Sequence, residues 1–169
     1  AIKLSKIDTS ITKKVILFDK CYFLLESIKA NNCKKCITYL KTIEECKEFI
    51  KIIQVVNLFF ELKLNINEIT CKTSKKERLK ILTKFNDDDK INIINIICNV
   101  HVLDEGIDIP KCDSVYLTHP NNNISNIIQR ISRCNRKDID NKDKIANVFV
   151  WTKDTNKMNK INEYVGKYI

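Results

Sequence analysis

The chain has 169 residues, 44% of them hydrophobic and 30% charged, enough for one domain with a substantial core. No apolar run reaches the roughly 20 residues of a membrane span; Ile52 to Leu62, the longest candidate, is broken by Gln54, Asn57 and Glu61, so no membrane partner is expected. The net charge of +9 permits an anionic partner such as nucleic acid. A solvated basic surface reads equally well, because the heavily used Lys, Asn and Ile all have AT-rich codons. No signal-peptide pattern opens the chain, Ala1 is not a methionine and the only Met is Met158. These features read as a processed chain or a piece of a longer, soluble intracellular protein, whether cytoplasmic, nuclear or viral. The eight scattered cysteines then read as reduced thiols, and Cys33-Lys34-Lys35-Cys36 lacks the second pair that a zinc site needs. No metal site is expected.

In chain order, residues 1–33 hold a helical connector with Asp8, Thr9 and Ser10 as possible caps. Its apolar face runs through Leu17, Phe18, Cys21, Leu24, Leu25 and Ile28. Residues 34–169 form the main domain. Cys36 to Leu40 is a buried strand, and Thr42-Ile43-Glu44-Glu45 has the capping-box form that opens a helix to about Leu62. Ile66 to Thr70 is the next strand. Ser74-Lys75-Lys76-Glu77 is a second capping box, starting a helix with Leu79, Leu82 and Phe85 inward. Ile91 to Cys98 is an isoleucine-rich strand covered on both faces, and residues 99–110 are a loop. Val115 to Leu117 and Ala146 to Trp151 are further strands, and a last helix covers about Asn156 to Tyr168. Strands alternating with helices through short loops give an α/β domain with a mainly parallel sheet. Ligands of such sheets bind beyond the carboxyl ends of the strands.

Two stretches stand out at that edge. Gly106 and Pro110, in a chain with only two residues of each kind, fall in Leu103-Asp104-Glu105-Gly106-Ile107-Asp108-Ile109-Pro110. A glycine among three carboxylates permits close backbone approach to a ligand, and an ordinary solvated turn is the alternative. His101 and His119 lie nearby and are assigned no catalytic role. The second stretch is Gln129-Arg130-Ile131-Ser132-Arg133-Cys134-Asn135-Arg136, with three of the chain's four arginines against 26 lysines. A guanidinium is a planar fork that matches phosphate oxygens two at a time. On a continuous helix Gln129, Arg133 and Arg136 would share a sector of roughly 60°, opposite Ile124, Ile127, Ile128 and Ile131. An amphipathic helix with an incidentally basic face fits the same spacing.

Ser74-x-x-Glu77-Arg78, the Val102–Pro110 block and Gln129-Arg130-x-Ser132-Arg133-x-x-Arg136 together resemble the second RecA-like domain of superfamily 2 helicases. The second and third blocks resemble that family's motifs V and VI, and Cys36 to Thr42 resembles motif IV. The E-G-x-D-x-P form is closer to restriction-enzyme and DNA-repair type helicases than to DEAD-box RNA helicases. The resemblance covers about residues 34–152 and implies a three-layer α/β/α RecA-like domain. It implies that Arg133 and Arg136 are arginine fingers toward an ATP γ-phosphate, with Gln129 helping to place the reacting groups. It further implies nucleotide contacts at Glu105, Gly106 and Asp108, the last toward the ribose, and nucleic-acid contacts at Thr42, Ser74 and Arg78. Ser132 departs from the family's glycine, and Val100 stands where DEAD-box members carry a Thr that touches nucleic acid.

The chain contains no G-x-x-x-x-G-K-[ST] loop and no acidic metal box of the D-E-x-[DH] form. ATP and Mg²⁺ are therefore expected to be bound mainly by a first RecA-like domain of the same polypeptide, and the fragment alone is expected to be inactive. Two other readings stand beside this one: a nucleic-acid or protein binding module that kept the fold and lost the motor, and an unrelated phosphate-binding α/β domain.

Overall fold

The computed structural model describes residues 9–168 apart from 89, 91, 104–107, 121 and 122. Among them, Lys35–Tyr39 (β1), Leu64–Ile69 (β2), Ile94–Asn99 (β3), Ser114–Leu117 (β4) and Asn147–Val150 (β5) form one sheet. The order is β2-β3-β1-β4-β5 and every neighbouring pair is parallel. The sheet is thus parallel throughout. The three inner strands bury every residue, whereas the edge strands β2 and β5 are mostly half-buried. Apolar runs without alternation belong to strands covered on both faces, and β1, β3 and β4 read that way.

Successive strand residues point to opposite faces. Cys36, Ile96, Cys98 and Tyr116 meet the helices Thr9–Ala30 (α1) and Ile43–Val56 (α2) on one side. Ile37, Tyr39, Ile97, Val115 and Leu117 meet Lys75–Asp87 (α3), Ile124–Ile131 (α4) and Thr155–Tyr168 (α5) on the other. The result is a three-layer α/β/α domain. The connections put the starts of α2 and α3, the segment after β3 and the approach to α4 at the carboxyl edge of the sheet.

Helix α1 buries Leu17, Cys21, Leu24, Leu25 and Ile28 against that sheet, the stripe its spacing predicts. Thr9 and Ser10 are already helical, so neither caps it, and Asp8 lies outside the described residues.

Three expected features differ. Helix α2 stops at Val56, not near Leu62, and a short 3₁₀ turn follows at Asn57–Phe59. The reason is Asn57, whose Nδ2 donates to the Leu62 carbonyl at 2.8 Å while its Oδ1 accepts from the Leu62 amide at 3.1 Å. An asparagine side chain that satisfies backbone groups this way competes with the helix ladder. Helix α4 ends at Ile131, before Arg133 and Arg136. The Ser132 hydroxyl donates to the Gln129 carbonyl at 2.8 Å, and the Arg133 and Cys134 amides bond to residues three back, at 3.3 and 3.2 Å. The last turn is therefore tighter than an α-helix. In α3, Leu79 is 67% exposed while Leu82 and Phe85 are buried. At about 100° per residue the position that shares their face is Arg78, not Leu79.

Candidate functional site

The Thr42 hydroxyl accepts from the Glu45 amide at 3.1 Å and starts α2; the Ser74 hydroxyl accepts from the Glu77 amide at 3.2 Å and starts α3. Both cap residues are exposed. Each helix therefore begins at the carboxyl edge with its amides directed outward, an arrangement that suits phosphate. Arg78 lies one turn into α3, half-buried, and its Nε is buried without a hydrogen-bond partner among the described residues. The loop before α3 is self-bonded: the Thr70 amide donates to the Thr73 hydroxyl at 3.0 Å and the Lys72 amide to the Thr70 hydroxyl at 3.3 Å.

After β3 the chain turns sharply. The Asn99 Oδ1 accepts from the amides of Val102 and Leu103 at 3.2 and 3.1 Å, and His101 sits at φ 58. Val100 is buried and offers no polar group to that edge. Glu105 and Gly106 lie outside the described residues. Asp108 is exposed, and its Oδ1 accepts from the Arg136 Nη1. Two blocks 28 residues apart in sequence are thus joined side chain to side chain. Lys144 holds the same junction from behind. Its Nζ donates to the carbonyls of Pro110 at 2.5 Å and Cys112 at 3.1 Å and to that of Arg136.

The early end of α4 corrects the shared face expected for Gln129, Arg133 and Arg136. Gln129 is exposed on the helix, Arg133 is 5% exposed in the turn, and Arg136 is half-exposed against Asp108. Arg130 is buried as well, its guanidinium carbon 4.9 Å from the centre of the Tyr39 ring. Stacking of this kind is an arginine property that lysine matches poorly. It ties α4 to the end of β1.

The residues that sequence reading passed over include Lys144, Tyr39 and a cluster at the end of β4. Lys20 on α1, 4% exposed, donates to Glu45 Oε1 at 3.1 Å and to His119 Nε2 at 2.9 Å. Burial pushes the His119 pKa below its ordinary value; Glu45 opposes this, while Lys20 and Lys41 reinforce it. A signal was available for Lys20, since it stands three residues after Leu17 and four before Leu24, on the apolar stripe of α1. No comparable signal marks Lys144. Among the described residues no group of three or more His, Cys, Asp or Glu side chains is arranged to hold a metal ion. A cavity of about 550 Å³ at the opposite, amino edge is lined in part by Asp113, whose Oδ2 accepts from the Lys34 amide at 2.6 Å and the Lys35 amide at 3.2 Å. That carboxylate joins β1 to β4.

The family model described as helicase conserved C-terminal domain matches residues 14–138. The chain belongs to this family. Among known relatives, a 51.5 kDa protein of a Lactococcus phage (isolate 7-9) is 29% identical over 111 residues, covering 66% of this chain and 22% of that protein. The ATP-dependent rRNA helicase SPB4 of Meyerozyma guilliermondii is 27% identical over 117 residues, 69% of this chain and 19% of that protein. The chain therefore spans about a fifth of the length of these relatives. In solved structures, this helicase C-terminal domain is similar to the DNA-bound ATP-dependent Type ISP restriction-modification enzyme LlaBIII. That match has a TM-score of 0.61 and 25% identity, over 70% of this chain and 8% of that one. The C-terminal domain of the DEAD-box protein Dbp5 matches with a TM-score of 0.63 and 19% identity, over 89% of this chain and 81% of that one. The fold is that of a superfamily 2 helicase C-terminal, RecA-like domain.

Proposed function

We propose that this helicase C-terminal domain is the second motor half of an ATP-dependent nucleic-acid helicase or translocase. Residues 1–33 connect it to a first RecA-like domain of the same polypeptide. Arg133 and Arg136 are its arginine fingers and Gln129 helps place the reacting groups. Glu105, Gly106 and Asp108 contact the nucleotide, and Thr42, Ser74 and Arg78 contact nucleic acid. The protein works inside the cell, on DNA or RNA.

The observation that carries this reading is the Arg136–Asp108 pair at the carboxyl edge of the sheet. It joins the two blocks whose joint task in such a motor is to meet one nucleotide. The residues fit one side of a nucleotide: a half-exposed guanidinium suits phosphate and an exposed carboxylate suits a ribose hydroxyl. ATP supplies the phosphoryl group whose transfer releases energy, with Mg²⁺ held by the other domain. This chain's part is electrostatic. Its guanidiniums stabilise negative charge at the edge, and its helix starts and basic side chains hold the strand.

The test is ATP turnover in the polypeptide that joins this chain to a first RecA-like domain, with nucleic acid present. Arg136→Ala or Arg133→Ala is expected to lower turnover by roughly 10³-fold, the scale of an arginine finger. Turnover near the unsubstituted level removes the finger assignment. The chain alone is expected to show no turnover and no unwinding. A joined protein that binds nucleic acid without turnover supports instead a binding module that kept the fold.

A further inference from the structure

The cluster around Lys20 joins three elements beside the start of α2. The Lys20 ammonium bridges Glu45 Oε1 at 3.1 Å and His119 Nε2 at 2.9 Å. Because an ammonium only donates, Nε2 must be the accepting nitrogen and the imidazole proton sits on Nδ1. That proton faces the Thr118 Oγ1 at 3.0 Å, and the Thr118 hydroxyl donates to the Tyr39 carbonyl at 2.8 Å. Donors and acceptors therefore run in one direction, from α1 through the end of β4 to the end of β1. The second Glu45 oxygen accepts from the Lys41 amide at 3.2 Å and lies 3.6 Å from His119 Nδ1. A cavity of about 600 Å³ opens over the cluster, lined by Lys13, Lys14, Lys41, Thr42 and Glu44 among others.

We propose that Lys20 and His119 are positioning residues for the nucleic-acid edge, acting through Glu45 to hold the start of α2 and its Thr42 ready for a phosphate. This rests on the proposed nucleic-acid contact at Thr42. Glu45 sits in the first turn of α2, where its charge opposes a polyanion. Held by Lys20 and turned inward, it is neutralised and cannot face the strand. His119 enforces this only when neutral. A proton on Nε2 sets two donors against each other and turns the ammonium away from the cluster. The charged groups that meet His119 are Lys20 from α1, Glu45 from α2 and Lys41 from the β1–α2 connection; Thr118 contacts it from the end of β4.

The sign of the pH effect separates this device from plain electrostatics. A histidine that gains charge beside a polyanion ordinarily strengthens binding. The clasp requires the reverse, weaker binding as His119 protonates. The measurement is nucleic-acid-stimulated ATP turnover in the joined polypeptide, with oligothymidylate or oligouridylate as the strand. Lys20→Met is expected to raise the half-stimulating strand concentration about tenfold while maximal turnover stays within about twofold. In the unsubstituted protein that concentration is expected to rise as pH falls from about 7.5 to about 5.5. In His119→Gln, which keeps an acceptor and cannot protonate, the rise is expected to disappear. Binding that tightens with falling pH, or an unchanged profile in His119→Gln, overturns the proposal even if Lys20→Met folds poorly. An unsubstituted protein that no strand stimulates overturns the nucleic-acid reading itself, and this inference with it.

Discussion

The arginines of the 129–136 stretch sit in different surroundings. Arg130 is buried on the Tyr39 ring, Arg133 is buried in the turn after α4, and Arg136 reaches Asp108. The plane of the Arg130 guanidinium lies against the Tyr39 ring, a contact that lysine matches poorly, in an otherwise lysine-rich chain. Tyr39→Leu is expected to cost about 2 kcal/mol of stability in chemical denaturation, the scale of a desolvated cation–π contact plus lost packing. The cysteines are similarly sorted by environment. Burial pushes Cys33 and Cys134 up to about 12 and raises Cys21, Cys36 and Cys112 as well; Cys98 is raised first by its hydrogen bond with the Cys46 side chain and then by burial, whereas Cys71 is exposed. A thiol-specific reagent at neutral pH is expected to label Cys71 promptly and the other seven only on unfolding, read by mass spectrometry. His119 carries a stability signature too. Its folded pKa lies below the ordinary value near 6.5, so the folded state favours the neutral ring. The stability it contributes is complete above about pH 6.5 and is lost as pH falls through the folded pKa. Unfolding curves of the native chain and His119→Gln should therefore converge or cross between about pH 7 and pH 5.

At the scale of elements, local chemistry decides where helices begin and end. Thr42 and Ser74 start α2 and α3 through side-chain caps, and Thr42→Ala is expected to cost about 1 kcal/mol in thermal unfolding. That variant separates two tasks, because a cap lost without change in strand affinity would leave Thr42 structural only. Asn57 and Ser132 end α2 and α4 by competing for backbone partners. The Lys144 ammonium joins the segments at Pro110, Cys112 and Arg136. Lys144→Met leaves three carbonyls without their charged donor and is expected to destabilise the fold on the order of 2 kcal/mol. It should also lower turnover in the joined polypeptide, since Arg136 loses its backing.

Across the whole molecule, one parallel sheet divides two cores. Phe49 and Ile53 of α2 fill the first with α1, and Phe85 and Leu82 of α3 fill the second with α4 and α5. Helix α1 is part of the first core and not an appendage beside it, because Leu24, Leu25 and Cys21 are wholly buried. Phe49→Ala should therefore cost about 3–5 kcal/mol and loosen α1 together with α2, visible as faster amide exchange in both. Among the described residues, no helix is long and apolar enough to cross a membrane.

The amino-acid sequence by itself determined the kinds of elements, their order and the parallel sheet. Unbroken apolar runs, T-x-x-E and S-x-x-E boxes and the Leu17–Ile28 stripe are local signals, and locality is what one-dimensional reading can use. It also directed attention to the sheet's carboxyl edge and singled out Asp108 and Arg136, which the fold pairs with each other. Tertiary structure alone decided the rest. The termination of α4 depends on the Ser132 hydroxyl choosing a backbone carbonyl, and this removed the single basic face that ideal helical spacing implied. Arg78 turned inward because Leu82 and Phe85 set which face of α3 packs. Lys20, Glu45 and His119 met because α1, α2 and β4 converge, although 99 residues separate Lys20 from His119. A buried charge needs partners, and which ones it finds depends on how distant elements pack, which residue spacing does not encode.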